Sequence, residues 1–315
     1  METNFLLGKS LGEFIKKEAD TLGFFDCGFS SARHLPYDEK RMEIWLDEGK
    51  NAEMGYLERN REKRYNPTLL VEGAKSLITV LFNYYPSNIL EEIDNYKISK
   101  YTYGKDYHYI IKAKLKELLL KIEDKTGKRK SRIFIDSAPV LDKAWARESG
   151  LGYIGKNTIL INKKGGSFFF IGHIIIDIEI INEIKTVANS CGTCTKCIQA
   201  CPTNALEPFK LDANKCISYL TIENKGDIPN TFRGKFEDYI FGCDICMDVC
   251  PWNRFATPNK EILLQPSEDL KKMEKKDWEN LNKEKFDALF KGTAVERTGF
   301  KGLKRNIDFV KEKTN

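Results

Sequence analysis

The stretch that decides the fold of the central part of the chain is CGTCTKCIQACP, residues 191–202. Its four cysteines, Cys191, Cys194, Cys197 and Cys201, have the spacing C-x2-C-x2-C-x3-C, and a proline follows. In a run of this kind the first three thiolates bind one 4Fe–4S cube, and the fourth binds a second cube. The sequence therefore predicts a module that holds two iron–sulfur clusters.

A second run supplies the remaining ligands. It contains Cys243, Cys246 and Cys250, but Ile240 stands where a leading cysteine belongs, so Cys216 is the candidate for the missing ligand. Structural zinc is the alternative, although zinc sites usually show two separated C-x2-C pairs without the crossed ending. We assign the first cluster to Cys191, Cys194, Cys197 and Cys250, and the second to Cys201, Cys216, Cys243 and Cys246.

Composition limits the setting of this module. The 315 residues are 41% hydrophobic, as in ordinary soluble proteins, and no apolar run reaches the roughly 18 residues that would span a membrane. The N-terminus lacks the basic segment and apolar core of a secretion signal. We therefore expect a cytoplasmic monomer, in which clustered cysteines bind metal and the lone Cys27 is a small buried hydrophobe. The net charge of +5 permits a polyanionic partner.

Hydrophobic periodicity predicts the elements around the module. Helices are predicted at 10–19, with a Ser10–Glu13 capping box, at 38–48, 50–60 and 106–126, and over a short stretch that ends near 150. Strands are predicted at 76–85, 131–136, 157–163 and 167–180. This alternation predicts an α/β (α+β) domain over residues 1–185. A ferredoxin-like two-cluster domain at 186–258 and a short tail of two or three helices at 259–315 follow.

The size of the N-terminal domain bears on function. A pure electron carrier would not need residues 1–185, so we expect the clusters to feed a reaction centre there. Clusters pass one electron at a time, and two of them suit a two-electron reduction.

Several stretches together carry a resemblance to a known family. They are MGYLERN (54–60), KYTYGKDYH (100–108), DSAPVLDKAWARESGLGYIGKNT (136–158) and CDICMDVCPWN (243–253), combined with the crossed cysteine runs. Over residues 10–258 the chain resembles epoxyqueuosine reductase. The resemblance implies an oxidoreductase of queuosine biosynthesis, with a cobalamin in the N-terminal domain. Its substrate would be epoxyqueuosine at the wobble position of a tRNA anticodon, and an external low-potential donor would supply electrons. The tail segment RTGFKGLKRN (297–306) resembles the start of a HEAT-like repeat.

By this resemblance Asp136 is the proton donor. Opening an epoxide expels an alkoxide, so an acid must protonate the leaving oxygen. A carboxyl beside a large apolar corrin could have a raised pKa and keep its proton at neutral pH. The alternative is that Asp136 caps the following helical turn.

Five further residues are candidates for binding the cofactor. Lys156 and Asn157 belong to the turn GYIGKN and can donate hydrogen bonds to cobalamin, unless the turn is an ordinary β-turn. Arg59 lies on a predicted helix, whose alternative is a solvated face. Ser218 and Asp244, each near a cluster cysteine, could contact the corrin from the cluster side.

Histidine and basic residues allow more than one interpretation. Asp106 and His108 match the start of the D-x-H-x-x-G motif of cobalamin methyltransferases, but Ile111 replaces its glycine, so we expect a packed or hydrogen-bonded histidine rather than a cobalt ligand. Two basic clusters predict either a solvated surface or phosphate contacts with a tRNA stem-loop. They comprise Lys125, Lys128, Arg129, Lys130 and Arg132, and Arg297, Lys301, Lys304 and Arg305.

Two rival functions remain at this point. A reductive dehalogenase also pairs cobalamin with two clusters, but such enzymes typically carry a twin-arginine export signal, which the sequence does not show. A non-catalytic iron–sulfur electron-transfer subunit would bind the clusters without cobalamin.

Overall fold

A four-stranded sheet forms the centre of the N-terminal half. The computed structural model describes residues 2–90, 94–136, 138–181 and 186–312, with side chains from residue 10 onward. The strands are β1 Asp26–Ser31, β2 Ser76–Asn83, β3 Lys97–Ile98, β4 Ser131–Ile135, β5 Tyr153–Ile154, β6 Leu160–Ile161, β7 Phe169–Ile176, β8 Leu206–Glu207, β9 Lys210–Leu211 and β10 Tyr239–Phe241. The sheet has the order β1-β2-β7-β4, and each neighbouring pair is antiparallel.

Helices cover both faces of this sheet. The helices are α1 Glu2–Thr21, α2 Pro36–Asp47, α3 Arg61–Tyr65, α4 Tyr107–Thr126, α5 Asp142–Glu148, α6 Lys196–Gln199, α7 Ile217–Ile222, α8 Ile245–Asp248, α9 Glu268–Lys271, α10 Lys275–Glu279, α11 Lys283–Phe290 and α12 Gly299–Lys311. Side chains alternate between the faces of a strand. Ile78 and Val80 therefore pack against α1 and α4, and Leu77 packs against the fully buried Trp145 of α5.

The main elements agree with the sequence prediction. The helix expected at 106–126 spans Tyr107–Thr126, because the Asp106 side chain caps its N-terminus and Gly127 ends it at φ 77°. The mixed helix and sheet content is confirmed, and the antiparallel pairing makes the arrangement α+β. The boundaries at 185 and 258 stay a prediction.

Four local predictions were wrong. No helix spans 50–60, because Ala52 and Asn60 take left-handed φ values of 49° and 55° and leave only a 3-10 turn at Gly55–Leu57. The strand expected at 157–163 is instead the hairpin β5–β6. Helix α1 begins at Glu2, so Ser10 lies inside it and is not a cap. The described part of the tail forms four α-helices rather than two or three.

A second core joins the tail to the cluster module. Phe290, Leu303 and Ile307 from the tail pack with Ile240 and Phe241, all of them buried. In addition, β10 pairs in parallel with β3. The tail is thereby held against the start of α4, and this contact completes the site described below. No helix in the described residues is both long and apolar enough to cross a membrane.

Candidate active site

A large cleft opens beside the end of β4. Its volume is about 1450 Å³, which exceeds the roughly 300–1,000 Å³ of an ordinary small-molecule pocket. The walls come from α2, the segment 54–64, the segment 136–148, the β5–β6 hairpin, the middle of the sheet and the β8–β9 hairpin. The cleft is therefore large enough for a bulky cofactor together with part of a substrate.

Asp136 lies in the wall of this cleft, directly after β4. Its backbone adopts a left-handed φ of 48°, a conformation that an aspartate tolerates better than most residues. The Tyr107 hydroxyl donates a 2.6 Å hydrogen bond to its Oδ2 atom. Nε2 of His108 lies 3.5 Å from the same oxygen, and Nη1 of Arg297 lies 3.7 Å from it. The carboxylate is thus surrounded by donors on one side, while 52% of its side chain remains exposed.

One stacking contact and three hydrogen bonds hold these donors in place. The Tyr107 ring stacks on Phe170 of β7, with the ring centroids 4.0 Å apart. Asp106 accepts hydrogen bonds from the backbone N–H and from Nδ1 of His108, at 3.0 and 2.7 Å. The backbone N–H of Asp106 also donates to the Gly292 carbonyl at 2.8 Å. The start of α4 is therefore tied to both the sheet and the tail.

The contacts around Asp136 and His108 shift the pKa values of these two groups in opposite directions. Burial raises the pKa of the Asp136 carboxyl, but the hydrogen bonds from His108 and Tyr107 and the charge of Arg297 outweigh burial, so the pKa lies below its ordinary value. Burial lowers the pKa of His108, yet its hydrogen bonds to Asp106 and Asp136 outweigh this effect and raise it. The sequence predicted a raised pKa for Asp136, but the contacts within the protein lower it. His108 is the group whose proton these contacts retain.

The structure also shows why His108 is hydrogen-bonded, as the sequence predicted. One ring nitrogen faces Asp106, and Nη2 of Arg297 lies 2.9 Å from the other. Arg297 comes from a 3-10 turn at Ala294–Arg297, far along the chain. The sequence analysis placed Arg297 among surface cations, and no local pattern could have assigned it to this site.

The eight clustered cysteines fall into two neighbourhoods. Burial raises the pKa of Cys243, and the nearby charges of Cys216 and Cys201 raise it further. In the same way, burial and then the charges of Cys191 and Cys194 raise the pKa of Cys250. The division of the eight cysteines between two clusters stays a prediction from the spacing. No three His, Cys, Asp or Glu side chains among the described residues converge tightly enough to hold a single metal ion.

Lys156 and Asn157 contact the cluster module. The Lys156 ammonium group donates to the carbonyls of Gly192 and Cys194 at 2.7 and 3.0 Å. Asn157 is buried and donates to the Cys246 carbonyl at 3.2 Å. Both side chains therefore brace the loops that carry the cysteines.

The other predicted cofactor contacts are also placed away from the cleft. Asp244 is 2% exposed, and its oxygens accept hydrogen bonds from the Ser99 hydroxyl and from the Lys100 backbone N–H. Ser218 lies in helix α7, two residues after Cys216, and does not line the cleft. Arg59 is exposed and does not line the cleft. Of the six residues predicted to bind the cofactor, Asp136 is the one that lines the cleft.

Sequence reasoning missed two cations in the cleft wall, Arg64 and Lys143. Arg64 lies five residues after Arg59, beyond the helix that was predicted at 50–60, and the sequence analysis did not select it. Burial lowers the pKa of Lys143, and the carboxylate of Asp142 opposes this effect.

Most of the side chains in the two basic clusters are paired within the protein. Lys128 pairs with Glu123 and Lys130 with Glu72. In the tail, Arg305 donates to backbone carbonyls, including that of Leu220 at 3.1 Å. A solvated or structural role accounts for these contacts.

Two protein families match parts of the chain. Residues 190–253 match the 4Fe-4S double cluster binding domain, which supports iron–sulfur clusters over zinc. Residues 64–137, which include Tyr107, His108 and Asp136, match the family described as Epoxyqueuosine reductase QueG, DUF1730.

Known proteins resemble the whole chain. An epoxyqueuosine reductase from Cellulophaga algicola is 51% identical over 301 residues, which cover 95% of this chain and 97% of that protein. An epoxyqueuosine reductase crystallised with an epoxyqueuosine-modified tRNA-Tyr stem-loop superposes with a TM-score of 0.84 at 28% identity, covering 95% of this chain and 80% of that one. The Bacillus subtilis enzyme, solved with its catalytic aspartate loop swung out of the active site, gives a TM-score of 0.84 at 27% identity, with the same coverage.

Proposed function

The chain belongs to the epoxyqueuosine reductase family, and we propose from this premise that the cleft beside Asp136 is where it reduces epoxyqueuosine to queuosine in a tRNA anticodon. The observation that carries the function is the identity of 51% over nearly the full length of both proteins. The chain is thus an oxidoreductase that acts on tRNA. This assignment sets aside the dehalogenase and the non-catalytic electron-transfer subunit.

The reaction defines what the site must provide. Replacing an epoxide by a carbon–carbon double bond removes the oxygen as water, and this requires two electrons and two protons. Two one-electron clusters meet the electron requirement. The proton requirement falls on groups beside the leaving oxygen, because an alkoxide is a poor leaving group.

We propose cobalamin as the cofactor in the cleft. The cleft has the necessary size, and its wall includes apolar side chains from Met54, Leu57 and Val140. Buried donors without partners, such as Nε of Arg64, fit a ligand that carries amides and a phosphate. When bound, cobalamin would supply a low-potential cobalt centre for electron delivery to the epoxide carbon.

Asp136 is proposed to deliver the proton to the departing oxygen. Its carboxyl lines the cleft and is half-exposed there, while Tyr107 and His108 contact its Oδ2 atom. These contacts lower the pKa of Asp136 and raise that of His108, so they favour the proton on His108 over Asp136. Asp136 receives that proton from His108 and passes it to the departing oxygen. The left-handed backbone at Asp136 directs its carboxyl toward the substrate in the cleft.

The cluster module is proposed to deliver electrons to the same cleft. Tyr153 lies in the cleft wall and adjoins the first cluster's ligands, since the charges of Cys191 and Cys250 act on its phenol. Lys143, also in the wall, is within electrostatic reach of Cys246. Both predicted cluster sites therefore adjoin the cleft.

One preparation tests the proposal. The protein is purified anaerobically, reconstituted with iron, sulfide and cobalamin, and assayed for metal content and for turnover of an epoxyqueuosine-modified stem-loop. We expect about eight irons and one cobalt per chain, with conversion to queuosine under a low-potential reductant. Eight irons without retained cobalamin and without turnover would contradict the proposed function.

A further inference from the structure

Arg64 is a buried cation in the cleft wall that forms no ion pair with any carboxylate of the described residues, although the charge of Asp142 acts on it from a greater distance. It lies on α3 and is 8% exposed. Its Nη2 atom donates to the Tyr56 carbonyl at 2.8 Å, but its Nε atom has no hydrogen-bond partner. No carboxylate from the described residues is paired with its guanidinium group.

Two other arginines near Arg64 are neutralised by carboxylates. Arg61, three residues earlier, forms an ion pair with Glu43 at 2.6 Å. Arg147, in the same cleft wall, is paired with Asp38 at 2.7 Å and also contacts Glu148. Arg64 thus differs from Arg61 on the same helix and from Arg147 across the cleft.

Physical chemistry makes this arrangement unfavourable unless an anion is bound. A guanidinium group stays charged at any physiological pH, and a buried charge without a partner costs several kcal/mol. The planar guanidinium fork matches the oxygens of a phosphate, and Arg64 lines the cleft with its Nε–H unpaired among the described residues. Burial lowers the pKa of the Arg64 guanidinium group. A bound anion would raise it again.

We propose that Arg64 anchors a phosphodiester-binding subsite in the cleft. The subsite rests on the proposed function, because two phosphodiesters would then reach this cleft. One belongs to the nucleotide loop of the corrinoid cofactor, and the other belongs to the backbone of the tRNA. Tyr56, whose carbonyl accepts a hydrogen bond from Arg64, lines the same cleft as Asp136.

Binding measurements on the iron–sulfur-loaded protein distinguish the two sources. Arg64→Gln removes the charge, Arg64→Lys keeps a charge without the fork, and Lys63→Gln is the control, because Lys63 is exposed on the same helix. Each variant is titrated with cobalamin, with cobinamide (a corrinoid that lacks the nucleotide loop and its phosphodiester) and with the tRNA stem-loop. Thermal melts with and without inorganic phosphate accompany the titrations.

The expected result is a loss in Arg64→Gln of about tenfold or more in affinity for one ligand, with partial recovery in Arg64→Lys. A loss for cobalamin but not for cobinamide assigns the subsite to the cofactor. If the affinity for the stem-loop falls, and the slope of log K against log salt concentration decreases by about one, the subsite binds the tRNA. In either case phosphate should raise the melting temperature of the wild type more than that of Arg64→Gln.

Two results would overturn the proposal. Equal losses for cobalamin and cobinamide would mean that Arg64 only supports the fold, and unchanged binding of all ligands would mean that it binds no anion. A wild-type protein that binds neither corrinoid nor stem-loop would defeat the proposed function instead. The phosphate melts would still decide whether Arg64 binds an anion.

Discussion

Arg297, in the C-terminal tail, places its Nη1 atom 3.7 Å from Oδ2 of Asp136, at the end of strand β4. The same guanidinium group lies 2.9 Å from His108. The tail therefore completes the set of donors around Asp136, and residues of the N-terminal part alone would leave one side of the carboxylate open. The chemistry of Asp136 is accordingly coupled to the packing of the tail.

Asp136→Asn should abolish most turnover while leaving the cofactors bound. Asparagine tolerates the left-handed backbone at this position, so the substitution removes the acid with little strain. We expect kcat to fall by about 10²- to 10⁴-fold, with iron and cobalamin content unchanged. Single-turnover assays on the modified stem-loop measure the loss, and near-normal activity would refute the role of Asp136.

The pH dependence of turnover should follow His108. Its hydrogen bonds raise its pKa in the folded protein, so the proton is present at low pH and is lost as pH rises through that raised value. We expect kcat to decline on the alkaline side, from above roughly pH 6.5, the ordinary value for histidine. His108→Gln should lower kcat about tenfold or more and remove this decline. An unchanged profile in the variant would assign the titration to another group.

The raised pKa of His108 also makes the stability of the folded protein depend on pH. A raised pKa means that folding stabilises the protonated imidazole, so this contribution is full below the unfolded pKa and disappears as pH rises through the folded one. The difference in melting temperature between the wild type and His108→Gln should therefore shrink from pH 6 to pH 9.

Cys216 should be a cluster ligand, and Cys27 should not. Cys216 lies within electrostatic reach of Cys201 and Cys243, whereas Cys27 is 5% exposed in the sheet core and burial raises its pKa to about 12. Cys216→Ser should reduce the iron content from about eight to about four atoms per chain. The matched variant Cys27→Ala should retain about eight. Full iron occupancy in Cys216→Ser would show that the second cluster has another fourth ligand.

Lys156→Ala should destabilise the first cluster rather than weaken cobalamin binding. The ammonium group holds the carbonyls of Gly192 and Cys194, so its loss frees the loop that carries the first ligands. We expect iron to be lost to a chelator several-fold faster, with cobalamin affinity within about twofold of the wild type. Lys164→Ala, at an exposed position nearby, is the control. Weaker cobalamin binding with a stable cluster would restore the role predicted from sequence.

The sequence by itself determined the local features of this protein. The spacing of Cys191 to Cys201 and of Cys243 to Cys250 predicted two clusters, because closely spaced cysteines share one cluster while the last cysteine of each run reaches the other. Helix α4 could be predicted from its periodicity and from the Asp106 cap. Asp136 was found because its surrounding motif is itself a short, continuous stretch.

Tertiary structure alone decided how distant segments meet. Arg297 reaches Asp136 because the tail packs on the cluster module, and no pattern near either residue encodes that contact. The left-handed turns at Ala52 and Asn60 rotated the following segment, so Arg64 lines the cleft and Arg59 faces solvent. Spacing along a chain fixes neighbours within a few residues. Which charges are left unpaired in a cleft depends on packing between segments that are remote in sequence.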